Sequence, residues 1–106
     1  MLNADVIAFA TPVYYYSVCG QLKTLLDRAN PLYPSDYKFR DIYLLATAAE
    51  NEAETVKGTE TAIQGWIDCF EKAELVKTIF AGGVDKPGEI NELFALKEAY
   101  EAGKQA

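Results

Sequence analysis

The sequence predicts a three-layer α/β domain built on a parallel sheet, and three observations carry that prediction. Short apolar runs rich in β-branched and aromatic residues occur at three places. Each is followed by a stretch with apolar residues at i, i+3 and i+4, the signature of a helix with one buried face. The connections are long enough for crossovers, which parallel strands require and hairpins do not. With 106 residues there is room for one core, so residues 1–106 are expected to form one domain of three strands and three helices.

Taken in order, "DVIAFA" (Asp5 to Ala10) is a continuous apolar run of the kind a parallel strand shows when both its faces are covered. "SVCGQLKTLLDRAN" follows as a helix, with Ser17 available as N-cap, Leu22, Leu25, Leu26 and Ala29 at helical spacing, and Pro31 stopping the run. "PLYPSDYKFR" holds two prolines and mixed charge and is expected to be a loop. "DIYLLATAA" is the second strand. "ENEAE" places glutamates in a loop and the first turn of the next helix, where the macrodipole favours negative charge. Val56, Ile63, Trp66, Ile67 and Phe70 mark that helix's buried stripe, and Cys69 beside them is expected in the core. "ELVKTIFAGG" is the third strand, ended by Gly82 and Gly83. After the turn "VDKPGEI", "EINELFALKEAYEAGK" is a last amphipathic helix with Ile90, Leu93, Leu96 and Tyr100 inward.

Right-handed crossovers stepping in one direction put the first two helices on one face of the sheet and leave the last helix for the other. The first strand is then an apolar edge. Apolar edges are usually paired with something, by strand addition or by a second copy.

Composition excludes several classes. Ten basic and sixteen acidic residues give a formal charge of −6, which repels a nucleic acid or an anionic membrane. No apolar run approaches the roughly 20 residues that span a bilayer, and the N-terminus lacks signal-peptide character, so a cytoplasmic protein is expected. Two cysteines and no histidine make neither a disulfide framework nor a zinc signature.

In an open parallel sheet, ligands bind beyond the carboxyl ends of the strands. That points to the loops Thr11 to Ser17, Thr47 to Glu54 and Gly82 to Gly88. They offer hydroxyls, backbone amides, rings and acids, but no Ser/His pair, no nucleophile elbow and no glycine-rich phosphate cradle. The consecutive Tyr14, Tyr15 and Tyr16 are the conspicuous feature, for they can wall a flat heteroaromatic ligand. They can equally plug the core and cover a subunit contact, and composition leaves both open. Cys19, near a helix N-terminus, is read as a packing residue rather than a reactive thiol, and Trp66 as core.

At "ADVIAFATPVYYYSVCGQLKTLLDR" the chain resembles the flavodoxin-like NAD(P)H-dependent FMN reductases, including the group related to iron-sulfur flavoproteins. Thr11, Pro12, Val13, Tyr14, Tyr15, Asp27 and Arg28 stand where that family places a small hydroxyl residue, Pro-Val-Tyr, a further aromatic, and the Asp-Arg that ends the helix. The likeness continues more loosely through "DIYLLATAAE" and "FAGGVDKPGEI" to "EAYEAGK". It implies a flavodoxin-like fold, FMN as cofactor with NAD(P)H as co-substrate, and flavin-mediated electron transfer to an acceptor. Carried over residue by residue, Thr11, Pro12, Val13, Tyr14, Tyr15 and Tyr16 would line the isoalloxazine and ribityl chain, and Thr47, Ala48, Ala49 and Glu50 would border the ring. Tyr14 and Tyr15 are then the wall, with Tyr16 turned toward a subunit contact.

The family fold opens with a strand, a phosphate-binding loop rich in Ser, Gly and Arg, a helix and a second strand. None of these has a counterpart before Met1. The resemblance therefore implies the C-terminal part of a flavin-binding domain, truncated ahead of the first strand, with FMN held weakly or not at all. It also implies a homodimer, with Tyr15, Tyr16, Tyr33 and Tyr37 as contact candidates, or a strand-pairing partner along the first strand. The alternative is a non-catalytic flavodoxin-like remnant that serves as a dimerisation or interaction module.

Overall fold

Three parallel strands lie side by side in the computed structural model, which describes residues Met1–Ala106. They are β1 (Val6–Pro12), β2 (Asp41–Thr47) and β3 (Glu74–Ala81), in the order β1-β2-β3. The register aligns Pro12 with Thr47 and Thr47 with Ala81, so all three strands end on one line. Every loop that leaves this edge therefore starts level with its neighbour. One irregularity, between Ile42 and Tyr43, interrupts the β2–β3 ladder near its other end.

Helices α1 (Gly20–Asp27) and α2 (Lys57–Asp68) cover one face, and α3 (Phe94–Gln105) lies against β3 on the other. This is the predicted α/β architecture. The larger core joins Phe9, Leu22, Leu26, Ile42, Ile63 and Ile67 beneath α1 and α2. A smaller one joins Tyr43, Ile79 and Ala81 to Ala95 and Ala102 of α3. No helix is long and apolar enough to cross a membrane.

β1 departs from the expectation of two covered faces. Ile7, Phe9 and Thr11 are buried toward α1 and α2, whereas Ala8 and Ala10 on the other face are exposed. α3 packs on β3 and leaves that part of the sheet bare.

Helix boundaries shift as well. Ser17 does not cap α1, because its backbone pairs with Tyr14, and Cys19 takes the N-cap place. Only Leu22 and Leu26 of α1 are buried, while Leu25 points outward at 50% exposure. α2 begins at Lys57, so "ENEAE" stays in the loop and Glu60 is the acid of its first turn. Cys69, expected in the core, is exposed at the helix end, and Phe70 turns back inward in its place. A 3₁₀ turn (Glu89–Glu92) precedes α3 and resets its phase. Ala95 and Ala102 face inward, and Leu96 and Tyr100, expected there, are exposed at 42% and 67%.

The long connection 31–40 opens in a 3₁₀ turn (Asn30–Leu32) and continues as a loop with a buried load. Tyr37 and Phe39 stack at 4.7 Å, and Phe70 meets both, at 5.3 and 5.5 Å. Phe39 also stacks with Trp66 at 6.0 Å, and Trp66 Nε1 donates to the Leu26 carbonyl at 3.2 Å. Tyr37 is thus a core residue, not a contact candidate. Its hydroxyl accepts from the Lys72 amide at 3.2 Å.

Candidate functional site

At the carboxyl edge three loops are bonded to one another. The Val13 amide donates to the Thr47 carbonyl at 2.7 Å, which ties the loop after β1 to the end of β2. The Ala48 amide donates to Ala81 at 3.1 Å, Gly83 to Glu50 at 3.2 Å, and Val84 to Ala48 at 2.9 Å, which tie the second loop to the third. Gly82 makes that contact possible, since a Cβ there would stand 2.5 Å from Asn51 Oδ1 and 2.9 Å from the Glu50 carbonyl oxygen.

The three tyrosines form the tip of the first loop. Tyr14 and Ser17 exchange backbone hydrogen bonds at 3.2 and 3.1 Å around Tyr15 and Tyr16, whose φ angles are 49° and 59°. Two consecutive left-handed residues closed by a reciprocal pair make a tight type I′ turn, a place normally given to Asn and Gly. A left-handed non-glycine residue costs of order 1–2 kcal/mol, so the surroundings must hold this turn in place.

Two contacts do so. Tyr16 donates its phenol to both Glu50 carboxylate oxygens, at 2.9 and 3.0 Å, clasping the first loop to the second. That hydrogen bond, and the carboxylate's charge after it, holds the Tyr16 phenol above its ordinary pKa. On the other side Gly58, in the first turn of α2, receives the Tyr16 carbonyl so closely that a Cβ would lie 2.0 Å from its oxygen. Tyr15 is left fully exposed at the tip.

Between the first two loops lies an open cavity of about 230 Å³, bordered by Val13, Tyr15, Tyr16, Ala48, Ala49 and Glu50, with Thr55 behind. Six of the residues singled out in the sequence meet here. The amides of Tyr15, Tyr16, Ala49 and Glu50, all residues that border the cavity, donate to no acceptor within the chain. An apolar floor, an aromatic side and free donors suit a flat ring with carbonyl and ring-nitrogen edges.

The other predicted residues lie elsewhere. Thr11, Pro12 and Thr47 border a second, apolar cavity of about 270 Å³ on the α3 side, with Ile90 and Leu96 opposite. Tyr14 borders neither cavity and is 60% exposed. The Thr11 hydroxyl is spent internally, donating to the Pro12 carbonyl at 2.8 Å and accepting from the Cys19 amide at 3.0 Å. That hydroxyl, then the Leu22 amide, hold the buried Cys19 thiol below its ordinary pKa. No group of acids and cysteines is placed to hold a metal ion.

Gly58 and Thr55 are residues of this arrangement that reading the sequence missed. The available signal was a glycine in the first turn of a helix, which is costly there unless something approaches its backbone closely.

A family model described as NADPH-dependent FMN reductase matches residues 1–57. Among solved structures, the Trp repressor binding protein from Bacillus subtilis superposes with a TM-score of 0.75 at 20% identity, covering 92% of this chain and 67% of that one. An NAD(P)H:quinone oxidoreductase from Methanothermobacter marburgensis gives a TM-score of 0.53 at 20% identity, covering 95% of this chain and 55% of that one. The chain thus spans about two thirds and about half of the lengths of these two neighbours, and at such identity the likeness is one of fold. A search of the curated proteins returns no match.

Proposed function

The chain belongs to the NADPH-dependent FMN reductase family, and on that premise we propose that it is a flavin-dependent NAD(P)H oxidoreductase whose ring site is the cavity between the first two loops. The observation that carries the proposal is the preset type I′ turn. Tyr15 stands exposed beside free amides of both loops, in a conformation that costs free energy and serves no packing purpose. When bound, FMN supplies a two-electron carrier that takes hydride from a dihydronicotinamide and passes electrons to an acceptor.

The chain's own residues would bind and orient the ring. Val13, Ala48 and Ala49 give it an apolar floor, Tyr15 an aromatic side, and the Ala49 and Glu50 amides donors toward its polar edge. The Tyr16–Glu50 clasp would fix the spacing between the two loops and keep both polar groups engaged with each other. No side chain is required as acid or base, since dihydronicotinamide delivers hydride directly. Mixing the chain anaerobically with FMN and NADPH tests the proposal. Bleaching of the flavin absorbance well above the rate of protein-free FMN is expected, and an unchanged rate would count against it.

A second reading, a non-catalytic module that dimerises along β1, is favoured by the free edge of that strand and the exposed Ala8 and Ala10 beside it. Light scattering during size-exclusion chromatography separates the two. A flavin-independent dimer with no NADPH-driven bleaching would select the module.

A further inference from the structure

We propose that this chain recognises the flavin ring and is indifferent to the phosphate, so that uncharged flavins bind at least as tightly as FMN. The inference rests on the ring-site reading above and concerns its ligand class.

Phosphate sites are built from guanidinium or ammonium groups and from clustered free amides, usually at a helix N-terminus. The free amides at this edge, of Tyr15, Tyr16, Ala49 and Glu50, share their cavity with the Glu50 carboxylate. No Lys or Arg borders the ring cavity. Lys57, which starts α2, already sits 3.0 Å from the Glu54 carboxylate. At α1 the Cys19 amide is taken by the Thr11 hydroxyl at 3.0 Å. At α2 the Tyr16 carbonyl lies against Gly58 in the first turn.

Charge and size act in the same direction. The loops leaving this edge carry Glu50, Glu52, Glu54, Asp85 and Glu89, against Lys86. A phosphate dianion near them meets repulsion that low salt would extend to about 30 Å. The cavity, about 230 Å³, falls below the roughly 300–1,000 Å³ of sites that enclose drug-sized ligands. It has room for a ring and leaves a ribityl phosphate outside, facing the acids.

Fluorescence-quenching titrations of lumiflavin, riboflavin and FMN with the full chain, at about 0.01 M and 0.15 M salt, test this. The expected result is equal affinity for lumiflavin and riboflavin within about threefold, with FMN equal or weaker at low salt and approaching riboflavin as salt rises. Tyr15→Ala should weaken all three alike, by about three- to tenfold. FMN binding at least tenfold tighter than riboflavin, or FMN affinity that falls with added salt, would overturn the inference and leave the ring-site reading standing. Failure of all three flavins to quench would remove both.

Discussion

Tyr16 and Gly58 show how much of this site depends on single atoms. Gly58→Ala should gain about 1 kcal/mol of helix propensity, yet its new Cβ would stand 2.0 Å from the Tyr16 carbonyl oxygen. Overpacking of that kind costs about 1–3 kcal/mol, so chemical denaturation should show a net loss of stability, together with weaker flavin quenching. At Glu50 the expected effect is on titration. With Glu50 as partner, Tyr16 holds its proton above the ordinary pKa of 10.0, and Glu50→Gln should return it toward that value in a tyrosinate absorbance titration. The sign follows: the clasp contributes fully below pH 10.0 and fades as pH rises through the raised pKa. Thr59 offers a separate check, because its hydroxyl is fully buried in α2 without a partner. Thr59→Val keeps the shape and removes the unpaired group, and should raise unfolding stability by about 1 kcal/mol. None of these three roles was legible in the sequence. An unpaired hydroxyl, a phenol clasped by a carboxylate and a carbonyl against a glycine are facts of position, and only the glycine left a trace.

Among the elements, legibility followed periodicity. β2 and β3 were readable from their apolar runs, and α2 from the stripe through Ile63 and Ile67, because burial on one face leaves that mark. α3 was readable as a helix but not in phase, since the 3₁₀ turn ahead of it sets which residues face the sheet. Small alanines therefore do the packing while Leu96 and Tyr100 stay out. The segment 31–40 read as a loop and is one, yet its Tyr37 and Phe39 close the core under α2 through long-range stacking that no local pattern displays. Phe39 is 0% exposed, so Phe39→Ala should cost about 3–5 kcal/mol, the range for a buried aromatic, measurable by urea denaturation. Tyr33→Ala in the same segment, at an exposed ring, should change stability far less.

At the scale of the whole molecule the parallel register brings the strand ends level, so that three loops meet at one edge and bond to one another, with an open cavity of about 230 Å³ between the first two. The α/β class followed from the sequence by the handedness of crossovers, and the strand-end rule pointed to the loops at that edge. Which predicted residues share a cavity did not, because Pro12 and Thr47 border the α3-side cavity at the strand ends, the Thr11 hydroxyl turns toward Cys19, and Val13, Ala48 and Ala49 follow beyond them. The bare side of β1 is the other global feature, and a net charge of −6 disfavours anionic partners there and at the site alike. A flavin ring seated between the first two loops would perturb the backbone amides of both. Amide NMR of the isotope-labelled chain, titrated with riboflavin, tests it most directly. Saturable shifts concentrated at Val13–Ser17 and Ala48–Asn51 are expected; shifts centred instead on the α3-side cavity around Thr47, Ile90 and Leu96, or none at all, would rule out a ring between the two loops.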